Sequence, residues 1–236
     1  MIGLILAAGN NTRISGHLDC SSKVLIPIGD KTLLVRNMDL LSAHADSFIV
    51  VVGKAEDDIR KDIEKSGYSD RVTYVRQNVA SGTLDAVRLA LSYVDDDVFL
   101  ILGDEFIIND SVKAMIDDFN ARGVGVSVGI IPDSDEKYIR DAYTLHYDNG
   151  FVDKFIEKPK DIFNNNRGTG YYIIGKGVLG LLPDIDQEKK DIVDLFNYAI
   201  RKGHKVISFR IADEEFNINT IQQLERAKSA FGILNE

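Results

Sequence analysis

A single cysteine, Cys20, occurs in the 236-residue sequence, so no internal disulfide can form and the fold needs no oxidising compartment. Cys20 has no histidine close by in sequence to activate it and is read as incidental. The four histidines (His17, His44, His146 and His204) are scattered, without the spacing of a metal site. No apolar run approaches the about 18 residues of a membrane span. The first apolar run is too short for the core of a secretion signal and no basic residue precedes it, so the expected location is the cytoplasm. Basic residues are outnumbered, 28 against 37 acidic, giving a net charge of -9, which argues against a free-standing nucleic-acid binder. No low-complexity linker and no internal repeat divides the chain.

What is present is an ordinary globular composition, 44% hydrophobic and 28% charged. At this length one domain is expected over 1–236, with a change of character between a first half over about 1–132 and a second over 133–236. Apolar β-branched runs at Ile2–Ala8, Phe48–Val52 and Val98–Leu102 read as buried strands. Between them, 31–43, 55–65 and 83–93 carry helical spacing, and 111–121 follows Asp110 as a plausible cap. Strand and helix in alternation imply an α/β fold with a mixed, mostly parallel central sheet flanked by helices, of Rossmann-like type, with ligands at the carboxyl ends of the strands. The second half is more antiparallel. Asp148-Asn149-Gly150 marks a hairpin, 169–174 and 206–211 are strands, 191–202 is a helix, and Thr220 caps a closing helix over 221–231. Asn164 to Asn166 reads as a flexible surface loop, and Asp95 to Asp97 as a solvated turn.

The first strand ends in Leu6-Ala7-Ala8-Gly9-Asn10-Asn11-Thr12-Arg13, a run of small and polar residues closed by an arginine. Small residues let backbone N–H groups approach an anion, and a guanidinium fork suits phosphate oxygens. Lys23 follows ten residues later in Ser21-Ser22-Lys23-Val24-Leu25-Ile26-Pro27. Together these are a constellation for holding and reacting a nucleoside triphosphate. A second motif, Leu100-Ile101-Leu102-Gly103-Asp104-Glu105, puts a carboxylate just past a buried strand, where it can bind Mg²⁺ above the first loop. A third, Gln77 to Val87, opens a helix with Gly82-Thr83 after a strand. Phe155-Ile156-Glu157-Lys158-Pro159 ends another strand, and taken alone would read as a surface ion pair before a turn.

These residues, in this order, resemble the sugar-1-phosphate nucleotidyltransferases, also called NDP-sugar pyrophosphorylases, over the whole chain. Two departures stand out: Asn11 replaces a second glycine of the family loop, and Ser22 replaces the proline before Lys23. The resemblance implies transfer of a nucleotidyl group from a nucleoside triphosphate to a sugar 1-phosphate, with pyrophosphate released. It implies that Arg13 and Lys23 act on the phosphates, that Asp104 is the main Mg²⁺ ligand, and that Gln77 and Gly82 read the base, with Thr83 beside them. A glutamine amide suits a pyrimidine edge, which favours UTP, dTTP or CTP. It further implies that Leu6 to Thr12 cradle the nucleotide and that Glu157 and Lys158 face the sugar and its phosphate, with Tyr143, Thr169 and Gly170 beside them. In Phe216-Asn217-Ile218-Asn219-Thr220, Asn217 stands where many members place a second metal-binding aspartate, and Asn219 remains an alternative.

The same ending also resembles relatives that use other acceptors: phosphocholine, polyol phosphates, or the molybdenum cofactor. A non-catalytic regulatory homologue is a further alternative, against which stand the retained Arg13, Lys23 and Asp104. A glycosyltransferase would leave the Arg13 loop unexplained. Neither nucleic acid nor membrane is expected as a partner, and a homo-oligomer is left open.

Overall fold

The structure is a computed structural model that describes residues 1–9, 20–133 and 135–232. Arg13, Asn10, Asn11 and Thr12 therefore lie outside the described residues. The first part of the chain runs β1 (Ile2–Leu6), β2 (Pro27–Ile28), β3 (Lys31–Thr32), α1 (Leu33–Leu41), β4 (Ser47–Val52), α2 (Glu56–Ser66), β5 (Val72–Arg76), α3 (Thr83–Ala90), β6 (Val98–Leu102), β7 (Glu105–Ile108), α4 (Val112–Arg122) and β8 (Val126–Pro132). The remainder runs α5 (Glu136–Asp141), β9 (Tyr143–Asp148), β10 (Phe151–Glu157), β11 (Asn166–Ile174), α6 (Lys176–Leu179), α7 (Ile192–Arg201), β12 (Val206–Arg210), β13 (Glu214–Asn217) and α8 (Ile221–Ala230).

Seven strands form one sheet in the order β12-β8-β11-β6-β1-β4-β5. All its pairings are parallel except those of β11, which runs antiparallel to both β6 and β8. The expected mixed, mostly parallel α/β sheet is thus present. Its central strands are buried from end to end because both faces are covered, and this is why β1, β4 and β6 read as unbroken apolar runs. One face packs under α1, α2 and α4 through Leu34, Met38, Ile59, Ile63, Met115 and Phe119. The other packs under α3, α7 and the β9–β10 hairpin through Leu84, Val87, Leu195, Phe196, Leu145 and Phe155. A third cluster joins β2, β7, β13 and α8 through Ile28, Phe106, Phe216 and Leu224.

The hairpin turns at Asn149 and Gly150, both at positive φ (48° and 81°), as the Asp-Asn-Gly signal requires. Thr220 caps α8, its hydroxyl accepting from Gln223 N at 3.2 Å. Asp110 accepts from Val112 N at 3.2 Å at the start of α4. Two expectations are corrected. Asn164 is not in a loose loop: its amide accepts from Asn166 N and from Thr144 Oγ1 and donates to Leu145 O, tying the start of β11 to β9. Asp95 to Asp97 is not merely a solvated turn: Asp96 pairs with the N-terminal ammonium at 2.7 Å, and Asp97 accepts from Lys176 N at 2.8 Å. Both segments are polar in sequence, and only their neighbours across the fold turn that polarity into anchors. The short strands β7 and β13 were not anticipated either.

Candidate active site

The register of the sheet brings the motifs together. Leu6 lies opposite Val51 on one side and Leu102 on the other, and Val51 opposite Val75. Ala7 to Gly9, Gly53, Gln77 and Asp104 therefore leave the sheet at one edge. The chain passes from β1 to β4 on one side and later adds β6 on the other, so the crevice at this edge is a topological switch point. Close approach there requires glycine. A Cβ on Gly103 would stand 2.8 Å from Leu6 O, and Gly103 N–H donates to that oxygen at 3.0 Å. A Cβ on Gly53 would stand 3.1 Å from Ala8 O, tighter than ordinary van der Waals contact.

Lys23 sits on a single 3-10 turn and is 8% exposed. Its ammonium donates to Asn219 Oδ1 at 2.6 Å and lies 3.4 Å from Asp104 Oδ2. Asn219 Nδ2 in turn donates to Asn217 Oδ1. The β7–β13 ladder sets this up: Asn217 lies opposite Glu105, and Ile218 N–H donates to Asp104 O at 3.1 Å. So Lys23, Asp104, Asn217 and Asn219, far apart in sequence, converge at one point. Asp104 keeps a third of its side chain open to solvent. The donor set is one carboxylate and two amide oxygens. Hard oxygen donors in small number suit Mg²⁺, which keeps several waters and takes the rest of its shell from substrate phosphates. The residues fit the ion in that sense, and Asp104 is the one among them that would supply a negative charge to it.

Gln77 is buried, its Nε2 donating to Gly82 O at 3.4 Å. Gly82 caps α3 with φ 118°, a conformation only glycine adopts comfortably. Beside this loop lies a cleft with room for about 150 Å³, lined among others by Thr83, Tyr143, Glu157, Thr169, Arg167, Asp191 and Asn217. The ring of Tyr143 faces the cleft, but its hydroxyl donates to Thr169 O at 3.1 Å. The Thr169 hydroxyl donates to Gly129 O at 2.9 Å, and Gly170 N–H donates to Glu105 Oε2 at 2.5 Å. Lys158, with φ 44°, is exposed and is not among the lining residues. The Glu157 carboxyl is shifted up by partial loss of water and by Asp191 facing it. A larger hollow of about 460 Å³ lies behind β7 among Arg36, Phe106 and Phe231, and none of the motif residues lines it.

Sequence reasoning missed a buried charged group beneath the cleft. Glu105, 4% exposed, follows Asp104 directly. Its Oε1 accepts from Asn217 Nδ2 at 3.3 Å, and its backbone oxygen accepts from Asn37 Nδ2 at 3.0 Å. Arg167 donates to Asp133 Oδ2 at 2.8 Å and to Glu215. Burial opposes the charge on Arg167, but Glu215 and Asp133 outweigh it and raise its pKa. Burial, with Glu215 and Asp104 nearby, pushes Glu105 well up, although Gly170 N–H pulls the other way. The one available signal was an acid opening the apolar strand Glu105-Phe-Ile-Ile. The raised pKa makes a prediction. A carboxyl that binds its proton more tightly when folded loses stability as pH rises from the ordinary glutamate value towards its folded one. Thermal unfolding of Glu105→Gln should therefore lack part of the wild-type loss on raising pH above about 4.5, a slope of at most about 1.4 kcal/mol per pH unit for one proton. Parallel melting curves for both proteins across that range would refute it.

Comparison with known proteins decides the family. A nucleotidyl transferase family model matches residues 2–223. The chain belongs to the nucleotidyl transferase family. The resemblance to sugar-1-phosphate nucleotidyltransferases is borne out by its relatives. It is 28% identical over 204 residues to the bifunctional protein GlmU of Methanococcus maripaludis, covering 86% of this chain and 46% of the relative, so it spans about half of that protein. It is 23% identical over 235 residues to the UTP–glucose-1-phosphate uridylyltransferase AglF of Haloferax volcanii, covering 97% and 95%. Among solved structures, a Bacillus anthracis protein described as a glucose-1-phosphate thymidylyltransferase superposes with TM-score 0.87 at 20% identity, over 98% of this chain and 95% of that one. The inositol-1-phosphate CTP transferase of T. maritima superposes with TM-score 0.81 at 19% identity, over 100% and 96%. These two likenesses speak for the nucleotidyltransferase fold. Among the described residues of this nucleotidyltransferase, no helix is long and apolar enough to cross a membrane.

Proposed function

We propose that this nucleotidyltransferase joins a nucleoside triphosphate to a sugar 1-phosphate, releasing pyrophosphate in a Mg²⁺-dependent reaction. The observation that carries the reading is the meeting of Lys23, Asp104 and Asn219 at the switch-point crevice, between the Gln77–Gly82 loop on one side and the Glu157 cleft on the other. The attack of a phosphate oxygen on the α-phosphorus needs little covalent help. It needs two mutually repelling anions held in line and the growing charge stabilised. Lys23 is the cation at the meeting point, and Arg13 is assigned to the leaving pyrophosphate. Asp104, with an asparagine amide oxygen, would hold Mg²⁺, whose chemistry is to neutralise phosphate charge.

Gln77 supports a pyrimidine base. One N–H of its Nε2 donates to Gly82 O at 3.4 Å, and the second N–H and Oε1 remain to read the donors and acceptors of uracil, thymine or cytosine. UTP, dTTP and CTP are the nucleotides proposed. For the acceptor, AglF and the Bacillus anthracis protein are named for glucose 1-phosphate, and the T. maritima protein for inositol 1-phosphate. The Glu157–Asp191 wall accepts hydroxyl hydrogen bonds from either class. A sugar 1-phosphate is the first reading and a polyol phosphate the second.

Pyrophosphate release across five nucleoside triphosphates and a panel of sugar 1-phosphates, inositol 1-phosphate and phosphocholine tests this directly. The expected result is release that requires one of UTP, dTTP or CTP, one sugar phosphate and Mg²⁺. Release with a non-sugar phosphate alone would transfer the proposal to that acceptor, and silence from folded protein would refute it.

A further inference from the structure

The segment 185–191, between α6 and α7, enters the acceptor cleft only at Asp191, and the rest of it lies outside both ligand sites as described above. At one end it carries Asp191 into the wall of the acceptor cleft. Along its length it is bound to α3, the helix that follows the base-reading loop, from its first turn to its last. Arg88, in the last turn, is the main tie. Its Nη1 donates to Lys189 O at 3.1 Å, and its Nη2 donates to Ile185 O at 3.2 Å and to Asp186 O at 2.9 Å. The same guanidinium is held by Asp85 at 2.6 Å, and Asp85 also pairs with Lys190 at 2.9 Å. Only 14% of the Arg88 side chain is exposed.

The backbone is joined as well. Leu84 N–H donates to Lys190 O at 2.8 Å, and Ile192 N–H donates to Thr83 Oγ1 at 2.9 Å. Gly82 presses against the same carbonyl: a Cβ there would stand 2.5 Å from Lys190 O. Any shift of Gly82 and Thr83 therefore meets segment 185–191 directly. Neither partner can relax alone without breaking these hydrogen bonds, of which those to Ile185 O and Thr83 Oγ1 are half-buried.

We propose that segment 185–191 is a strap that couples the base loop to the acceptor cleft, with Arg88 as its clamp and as a positioning residue for the transfer. This rests on the nucleotidyl-transfer reading. A nucleotide that orders Gly82 and Thr83 orders Asp191 through the strap, so the acceptor wall is set before the acceptor arrives. Both ligands then draw on one shared ordering cost, and each favours the other.

Hydrogen exchange of the full chain, with ATP, GTP, CTP, UTP or dTTP added singly with Mg²⁺ and no acceptor, is the test. The expected result is that the nucleotide protecting 77–83 also slows exchange over 185–193 by roughly fivefold or more, the low end of ordinary coupling between sites. In Arg88→Ala the protection over 77–83 should persist while that over 185–193 is lost, and the acceptor KM should rise more than the nucleotide KM. Lys190→Met, which removes an exposed tie, should show the same loss in weaker form and serves if Arg88→Ala fails to fold. Protection of 77–83 with no change over 185–193, or unchanged coupling in a folded variant, would overturn the strap and leave the transfer reading intact. Protection nowhere with any of the five nucleotides would overturn both.

Discussion

Lys23→Ala should lower kcat by about 10²–10³-fold, the scale of removing one donor that stabilises transition-state charge. The ammonium is held at 2.6 Å by Asn219 and 3.4 Å by Asp104, so it is already placed when substrates arrive and little reorganisation is needed. Folding should suffer less than turnover. Asp104 is a third exposed, so losing its partner strands no fully buried charge, and the asparagine amides can turn to water or to each other. The check is steady-state pyrophosphate release alongside thermal melting. The expected pattern is a large loss in kcat with a small change in Tm, and near wild-type turnover would remove Lys23 from the mechanism. Arg13→Ala is expected to cost the same order through loss of its hold on the leaving pyrophosphate.

Gly168→Ala should be the most destabilising small substitution near the cleft. A Cβ at Gly168 would lie 2.1 Å from Cζ of Tyr143 and 2.2–2.4 Å from its neighbours in the ring. The ring cannot step aside. It packs on Phe155 at 5.7 Å and Tyr172 at 6.1 Å between centroids, and its hydroxyl is held by Thr169 O. Gly168 is held as well, paired with Ile130 of β8 next to the point where the β11–β8 register shifts. Overpacking a well-filled core costs about 1–3 kcal/mol and at times more, and this contact belongs at the upper end. For a chain of this size, about 3 kcal/mol lowers Tm by roughly 6–12 °C. A double-mutant cycle with Tyr143→Ala makes the cause testable. The two losses should be strongly less than additive, since removing the ring removes the collision. Simple additivity would show that the strain lies elsewhere.

Much of the site was legible because its chemistry is carried by short motifs. The Leu6–Gly9 run, Gly103-Asp104 and Gln77…Gly82-Thr83 each begin at or just past the end of a strand, with residue types that suit the proposed phosphate, metal and base, and Lys23 stands just before an apolar run. Strand ends are readable from where an apolar run stops. Glu157, Tyr143 and Thr169 were legible as lining residues but not in their bonding. That the Tyr143 and Thr169 hydroxyls and the Gly170 N–H turn to neighbouring protein atoms depends on three strands meeting. Arg167 and Glu215 were not legible, and Glu105 only as an acid opening an apolar strand, since a charged residue in a sequence looks the same whether it ends up in water or beneath a cleft. The hydrogen bond of Lys23 to Asn219, two residues past β13, could not be read from the sequence either.

The sequence by itself determined the alternation of strand and helix, the parallel core and the order of the motifs, because periodicity and composition act locally along the chain. Only the tertiary structure decided the antiparallel insertion of β11, the buried acid–arginine group and the strap across α3. Each of these depends on pairing between segments tens of residues or more apart, and no local preference records which distant partner a polar side chain will meet.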